Sequence, residues 1–246
     1  KVEESADETS FLLLKEYADA DFRICFTVYA PIADTYIMLP ACIYDGNHFE
    51  RVERAYPPMF REEEMGLEVP VRMTKVPALE AAGDSCVDVT TGDLATPAVC
   101  LWNRSGKEAL FLFTEQGSQG RNYGVTLEQR GDWLDIIISA PARRRRVYGA
   151  GVIPDEKRPF PVKEGARIRI AHKTILNPCA SIPQMYRQFM EYQLAFYHGE
   201  VVSSFPFSES WRLSEEKRNR DHFLEEEGYY TGCACRSAAF NKFGDW

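Results

Sequence analysis

One short stretch gathers most of the groups that could hold a polar ligand. It is Tyr44-Asp45-Gly46-Asn47-His48-Phe49, followed at once by Arg51 and Arg54 and then by Tyr56-Pro57-Pro58-Met59. A sugar is held by an aromatic ring under its C–H face and by amides, carboxylates and guanidinium groups around its hydroxyls, and a loop can present all of these together. Tyr44, Asp45, Asn47, His48, Arg51 and Arg54 are therefore candidates for binding carbohydrate. The plainer reading of the same residues is a hairpin with an Asp-Gly-Asn turn and a proline-braced loop. A second polar loop, Glu115-Gln116-Gly117-Ser118-Gln119-Gly120-Arg121-Asn122, adds Gln119, Arg121 and Asn122 to the candidates, with an ordinary polar turn as the alternative.

Other chemistries find less support. The 37 acidic residues show no spacing that selects an acid and base pair. There is no G-x-S-x-G elbow, and the four histidines form no recognisable partnership with Ser or Cys. Cys233-x-Cys235 with His222 lacks the second ligand pair of a persuasive zinc site, so no metal is expected. Neither a P-loop nor G-x-G-x-x-G occurs, and no cofactor is expected. The seven cysteines, at 25, 42, 86, 100, 179, 233 and 235, are odd in number and irregularly spaced, and read as small buried hydrophobes. Trp102 and Trp133 read as core residues. Arg143 to Arg146 fall in a predicted strand whose alternation puts two guanidinium groups on each face. They suit either bidentate recognition of acidic sugars or a charge-guarded edge.

Bulk properties narrow the partners. A formal net charge of −8 opposes phosphate-backbone binding, so nucleic acid is not expected as a partner. No apolar run approaches the roughly 18–20 residues of a membrane helix, and no membrane span is expected. The opening KVEESADETS lacks the basic start and apolar stretch of a signal peptide and suits a chain whose leader has been removed.

The candidate loops need a scaffold, and alternation supplies one. In FRICFTVYA, Phe22, Ile24, Phe26 and Val28 share one face, and Arg23, Cys25, Thr27 and Tyr29 the other. Thr35 to Tyr44 continues in strand character, interrupted at Pro40. Glu53 to Leu79, with prolines at 57, 58, 70 and 77, reads as an irregular excursion. Strand signals then recur at 85–90, 97–102, 108–114, 123–129, 133–139, 143–148 and 167–176, with turn residues in each gap. The absence of helical periods between them predicts antiparallel pairing in a sandwich or barrel. At Asn177-Pro178 the period changes. Ser181-x-x-Gln184 is a capping box ahead of a stripe of Ile182, Met185, Tyr186, Phe189, Met190, Phe196 and Tyr197, closed by Gly199. A second, very polar helix is predicted from a Ser214 cap to Gly228. The closing YYTGCACRSAAFNKFGDW has no clean period and reads as the opening of a further domain.

This pattern resembles the N-terminal β-sandwich, of the galactose-mutarotase-like supersandwich type, that precedes an (α/α)6 toroid in bacterial glycoside hydrolases and polysaccharide lyases. The likeness covers about residues 20–200: the many strands, the last long strand in EGARIRIAHKTIL and the linker helix near Ser181. The strings PACIYDGNHF and AYPPM also look like those of sugar hydrolases from polysaccharide-degrading bacteria. The resemblance implies a polar lead over 1–19, a large antiparallel β-sandwich over 20–178, and a helical linker leading to a following helical domain over 179–246. It further implies a periplasmic or extracellular protein. Its partners would be a carbohydrate or polysaccharide and a C-terminal helical catalytic domain, with the chain itself non-catalytic. An autonomous carbohydrate-binding module and a mutarotase-like epimerase or lyase are the alternatives. The latter would need a paired His and Glu, and neither His48 nor His172 sits in a recognised motif.

Overall fold

The computed structural model describes residues 2–4, 7–50, 52–53, 71–72, 76–79, 85–142, 160–197, 206–226 and 228–230. In chain order the first strands are β1 (Val2–Glu4), β2 (Glu8–Leu12), β3 (Tyr17–Ala20), β4 (Phe22–Tyr29), β5 (Thr35–Leu39), β6 (Ile43–Tyr44), β7 (Val52–Glu53) and β8 (Val71–Arg72). There follow β9 (Ser85–Thr90), β10 (Ala98–Asn103), β11 (Glu108–Thr114), β12 (Gly117–Ser118), β13 (Arg121–Asn122), β14 (Gly124–Arg130), β15 (Trp133–Ala140), β16 (Phe160–Val162) and β17 (Arg167–Pro178). Helices α1 (Ile182–Tyr197) and α2 (Phe207–His222) and a short pair, β18 (Phe223–Leu224) and β19 (Tyr229–Tyr230), complete the described elements. The fold is mainly β with two helices among the described residues. The chain divides into two compact units, Lys1–Tyr197 and His198–Trp246.

In the first unit the described strands form a seven-stranded sheet in the order β1-β2-β17-β11-β10-β5-β6 and a four-stranded sheet in the order β4-β15-β14-β9. Pairing within both is antiparallel. Alternation decides which side chains meet. Ile37, Leu39, Val99, Leu101, Leu112, Ile168 and Ile170 of the larger sheet share one buried cluster with Val87, Val89, Val125, Leu127, Leu134, Ile136 and Ile138 of the smaller. The opposite face of the larger sheet is also buried: Tyr36, Met38, Cys100, Phe111 and Phe113 pack with Met185 and Phe189 of α1. Strands covered on both faces lose visible alternation, and all of β5 is buried.

Helix α1 docks through its aromatics. The Phe113 ring lies parallel to Phe189 with centroids 5.8 Å apart, stacks on Phe196 at 5.7 Å and meets Tyr197 edge-on, while Tyr192 meets Phe111 edge-on at 5.3 Å. The predicted cap is present in altered form. Gln184 N–H donates to Ser181 Oγ at 3.4 Å, but the Gln184 side chain accepts from Ala180 N–H at 2.9 Å instead of returning to the cap residue. Met190, expected on the stripe, faces solvent, and Tyr192 occupies the seam instead.

Residues 1–19 were predicted as a polar lead, yet β2 extends the larger sheet. Leu12 pairs with Arg167 and Thr9 with Ile170, which puts buried Thr9 and Ser10 in the ladder and sets Phe11 and Leu13 against the core. Helix α2 begins at Phe207, seven residues before the predicted cap, and Ser214 instead donates to Ser210 O from mid-helix. Its polar surface is laced by ion pairs, with Arg212 joining Glu209 and Glu216 and Lys217 joining Asp221 at 3.0 Å. Arg143 to Arg146 lie outside the described residues.

Two consequences are measurable. Phe113→Ala removes a fully buried ring at the α1 seam and should cost about 3–5 kcal/mol in urea unfolding. Burial also raises the phenols of Tyr36, Tyr123 and Tyr197, that of Tyr123 to about 12. The unfolded chain loses these protons near pH 10, the ordinary tyrosine value, while the folded chain retains them. Stability should therefore hold up to about pH 10 and fall as pH climbs toward 12. Unfolding midpoints set beside a spectrophotometric tyrosine titration test this.

Candidate functional site

The first candidate loop follows β6 as a tight reversal, with Asp45, Gly46 and Asn47 at φ of 51°, 72° and 53°, while Ala41, in the turn before β6, has φ 67°. Glycine is required at 46, where a Cβ would run into the His48 imidazole. Asn47 is buried, and its side chain braces the turn. Its Oδ1 accepts from Tyr44 N–H at 2.9 Å, and its Nδ2 donates to Cys42 O at 2.7 Å and Pro77 O at 2.9 Å. Leu79 N–H donates to Gly46 O at 2.8 Å, which ties the far end of the excursion to the loop. Tyr44 is 47% exposed and its Oη accepts from Ala41 N–H at 2.9 Å. Asp45 takes both of its contacts from Arg104 Nη2, at 3.0 and 3.2 Å. His48 is half-buried beside Gly46. Arg51, Arg54 and Tyr56 to Met59 lie outside the described residues.

The second loop is the β12–β13 hairpin. Gln119 and Gly120 both have positive φ, 51° and 71°, the combination that matches a two-residue turn to the twist of its strands. Asn122 is structural: its Oδ1 accepts from Gln116 Nε2 at 3.0 Å and its backbone oxygen from Ala142 N–H at 2.9 Å. Thr91 Oγ1 donates to Gln116 O, which seats the loop on the turn after β9. Gln119 is exposed and Arg121 half-buried. The two candidate groups thus have different anchors, Cys42, Pro77 and Arg104 for the first and Gln116 and Ala142 for the second. His172 is buried, where its Nε2 shares a hydrogen bond with Thr9 Oγ1 at 3.1 Å and its ring meets Phe26 edge-on.

A different surface combines exposed aromatics with fixed polar groups. On the outward face of the four-stranded sheet, Trp133 lies directly opposite Tyr29 and Asp135 directly opposite Thr27, while Arg130 and Glu128 follow on β14. Trp133 was expected in the core but is 53% exposed, and Tyr29 is 59% exposed. Their rings meet edge-to-face with centroids 5.4 Å apart. Thr27 Oγ1 donates to Asp135 Oδ1 at 2.6 Å, and Arg130 Nη2 reaches Asp135 Oδ2 at 3.1 Å and Glu128 Oε2 at 3.4 Å. Thr27, Asp135 and Glu128 form a row one same-face step, roughly 7 Å, along the strands from the rings, whereas Arg130 stands directly opposite Trp133 and reaches across to that row. Alternation held the signal for this face. In WLDIII, Trp133 and Asp135 fall opposite buried Leu134 and Ile136, so the tryptophan had to share the polar side. Trp102, by contrast, is half-buried and packs toward α1, with Nε1 donating to Cys179 O at 2.8 Å.

Cys25 joins the same face. Burial pushes its thiol up, the bond to Thr27 opposes this, and the Asp135 and Glu128 carboxylates add to the rise. It is held as a thiol at neutral pH. Cys100 and Cys179 are buried, as expected of small hydrophobes, whereas Cys25 is exposed and Cys42 and Cys86 are intermediate. Cys233 and Cys235 lie outside the described residues. Among the described residues no group of three or more His, Cys, Asp or Glu is placed to hold a metal ion, and no helix is long and apolar enough to cross a membrane.

Compared with family models, curated proteins and solved structures, the chain gives no match.

Because Asn47 serves the turn, Asn47→Ala should cost about 2–3 kcal/mol of stability, from lost hydrogen bonds and an alanine forced into left-handed backbone. Urea unfolding gives the magnitude. A loss below 0.5 kcal/mol, the ordinary range for a surface substitution, would place Asn47 outside the frame of the loop.

Proposed function

We propose that the chain is a β-sandwich of the galactose-mutarotase-like supersandwich type that binds carbohydrate without catalysing its cleavage, as part of a periplasmic or extracellular carbohydrate-active enzyme. Binding falls to this chain, and the chemistry to a partner helical domain of the (α/α)6 type. The observation that carries the binding role is the exposed Tyr29–Trp133 pair on the outward face of the four-stranded sheet. Solvent-facing rings with a hydrogen-bonded polar row beside them suit a pyranose, whose C–H face seeks an aromatic surface and whose hydroxyls seek fixed acceptors. Arg130 offsets one of the two carboxylates it bridges, which leaves one excess negative charge that disfavours an anionic ligand. Strands hold the pair in place before the ligand arrives, which lowers the ordering cost of binding. The same surface serves the alternative of an autonomous binding module. Retention of polysaccharide by this chain alone measures the binding that both readings share.

Affinity electrophoresis through gels containing soluble β- and α-glucans, xylan, mannan and pectin tests the reading. The chain should be retarded by at least one neutral polysaccharide. Trp133→Ala and Tyr29→Ala should each weaken that retention about tenfold or more, a loss of at least 1.4 kcal/mol. Their folding stability should change by no more than the roughly 0.5–1.5 kcal/mol of an aromatic pair. Unretarded migration through every gel, or retention unchanged by both substitutions, would overturn the proposal.

A further inference from the structure

A cleft of about 280 Å³ opens where the last turns of α1 meet the residues before β10 and after β11. Its frame is well braced. Tyr197 Oη donates to Thr114 O at 2.6 Å and lies 3.1 Å from Pro97 O, which pins the helix end to both strand ends. Gln193 Nε2 donates to Thr96 Oγ1 at 2.9 Å, and Gln116 Nε2 donates to Asn122 Oδ1 at 3.0 Å. Each bond uses one N–H of its amide, so both side chains keep a second N–H donor and a carbonyl acceptor. Glu115 supplies a third acceptor; its carboxylate is 45% exposed and lies 3.6 Å from Arg169, which also binds Glu8 at 2.5 Å. One guanidinium is thus shared by two carboxylates, which leaves the cluster with one excess negative charge.

The lining thus offers the Glu115 carboxylate, two amides and the Thr96 side chain, contains no cationic residue, and includes Tyr197 and Pro97. A ligand complementary to it carries several hydroxyl donors and a C–H surface. The volume lies just under the 300–1,000 Å³ of ordinary small-molecule sites, which suits a single sugar ring. We infer that this cleft is a second carbohydrate site, separate from the Tyr29–Trp133 face, that takes a single pyranose unit through hydroxyls donated to Glu115, Gln116 and Gln193. The inference rests on the reading of the chain as a carbohydrate binder. Glu115 and Gln116 open the second polar loop but were not named among its candidate residues, and Gln193 lies far along the chain on α1, so only the docking of that helix brings the three together.

Ligand-observed saturation-transfer NMR with the whole chain and free glucose, galactose, mannose, xylose and glucosamine, followed by titration, tests this. At least one neutral monosaccharide should bind, with a Kd of roughly millimolar order. Measured in a Trp133→Ala background, which silences the sheet face, Glu115→Gln, which is nearly isosteric, and Gln193→Ala should each weaken binding about tenfold, while Glu164→Gln, at an exposed turn outside both surfaces, leaves it unchanged. Thermal unfolding of each variant separates a lost site from a lost fold, and Glu115→Gln, whose side chain takes no part in the helix seam, serves if Gln193→Ala unfolds. The inference is overturned if no neutral monosaccharide binds, if glucosamine alone binds, or if both cleft variants bind as the parent does. Polysaccharide retention through Trp133 with a silent cleft would defeat this inference alone. Monosaccharide binding that depends on Glu115 without retention on any polysaccharide would instead defeat the role given to the sheet face.

Discussion

The fold depends on β10 and β11 being covered on both faces. Val99, Leu101 and Leu112 point into the core shared with the four-stranded sheet, while Cys100, Phe111 and Phe113 point toward α1. Each buried aromatic or aliphatic side chain contributes about 1.5–3 kcal/mol relative to exposure. A sheet with two such faces cannot leave either in water, so α1 is as much a layer of the unit as either sheet. The backbone agrees, since Cys179 N–H bonds Lys107 O and the Tyr197 hydroxyl reaches Thr114 O, fixing the helix at both ends. This layer also creates the cleft, which exists because the helix ends beside the strand termini.

The four-stranded sheet has no such second constraint along β4 and β15. Its inner face carries Leu134, Ile136 and Ile138 at nearly zero exposure, and its outer face is free to carry Tyr29, Trp133 and their polar neighbours. Single exposed hydrophobics are ordinary and need no function. Two large rings in cross-strand register, beside a carboxylate that already holds a hydroxyl and a guanidinium, form a more specific arrangement. The polar loops that first attract attention behave in the opposite way. Asn47 is consumed in holding its own turn, because a reversal with several positive-φ residues leaves backbone groups for nearby side chains to satisfy, and the Asn122 amide is engaged by the Gln116 side chain. A concentration of polar residues in a loop is therefore weaker support for a binding site than a polar row on a strand.

That contrast also explains what could be read from the chain. The alternation of FRICFTVY fixed β4 and its buried face, and the change of period at Asn177-Pro178 marked the passage from β17 to α1. Residues 8–12 were missed because Thr9 and Ser10 look like solvent-facing residues until they are seen buried in the ladder beside β17. The start of α2 was misjudged because Pro206 begins a helix with no side-chain cap, so the later Ser214 gave the stronger local signal. Trp133 was assigned by residue type, although its own register against Leu134 and Ile136 carried the right answer. The cleft could not be found locally at all. Thr96, Glu115 and Gln193 are brought together only by a helix docking across two strands.

The charge arrangement at the two surfaces bears on what they select. Arg130 bridges Glu128 and Asp135 on the sheet face, and Arg169 bridges Glu8 and Glu115 beside the cleft. Exposed pairs of this kind contribute no more than about 1 kcal/mol to folding, so stability is a poor account of their repetition. What they do well is orientation: a guanidinium held between two carboxylates fixes the acceptor oxygens in direction while cancelling much of their field. A strongly anionic ligand would meet uncompensated carboxylate, and a strongly cationic one would have to displace the arginine. A neutral donor such as a hydroxyl meets neither cost, which is the reason an uncharged sugar is the ligand class proposed for both surfaces.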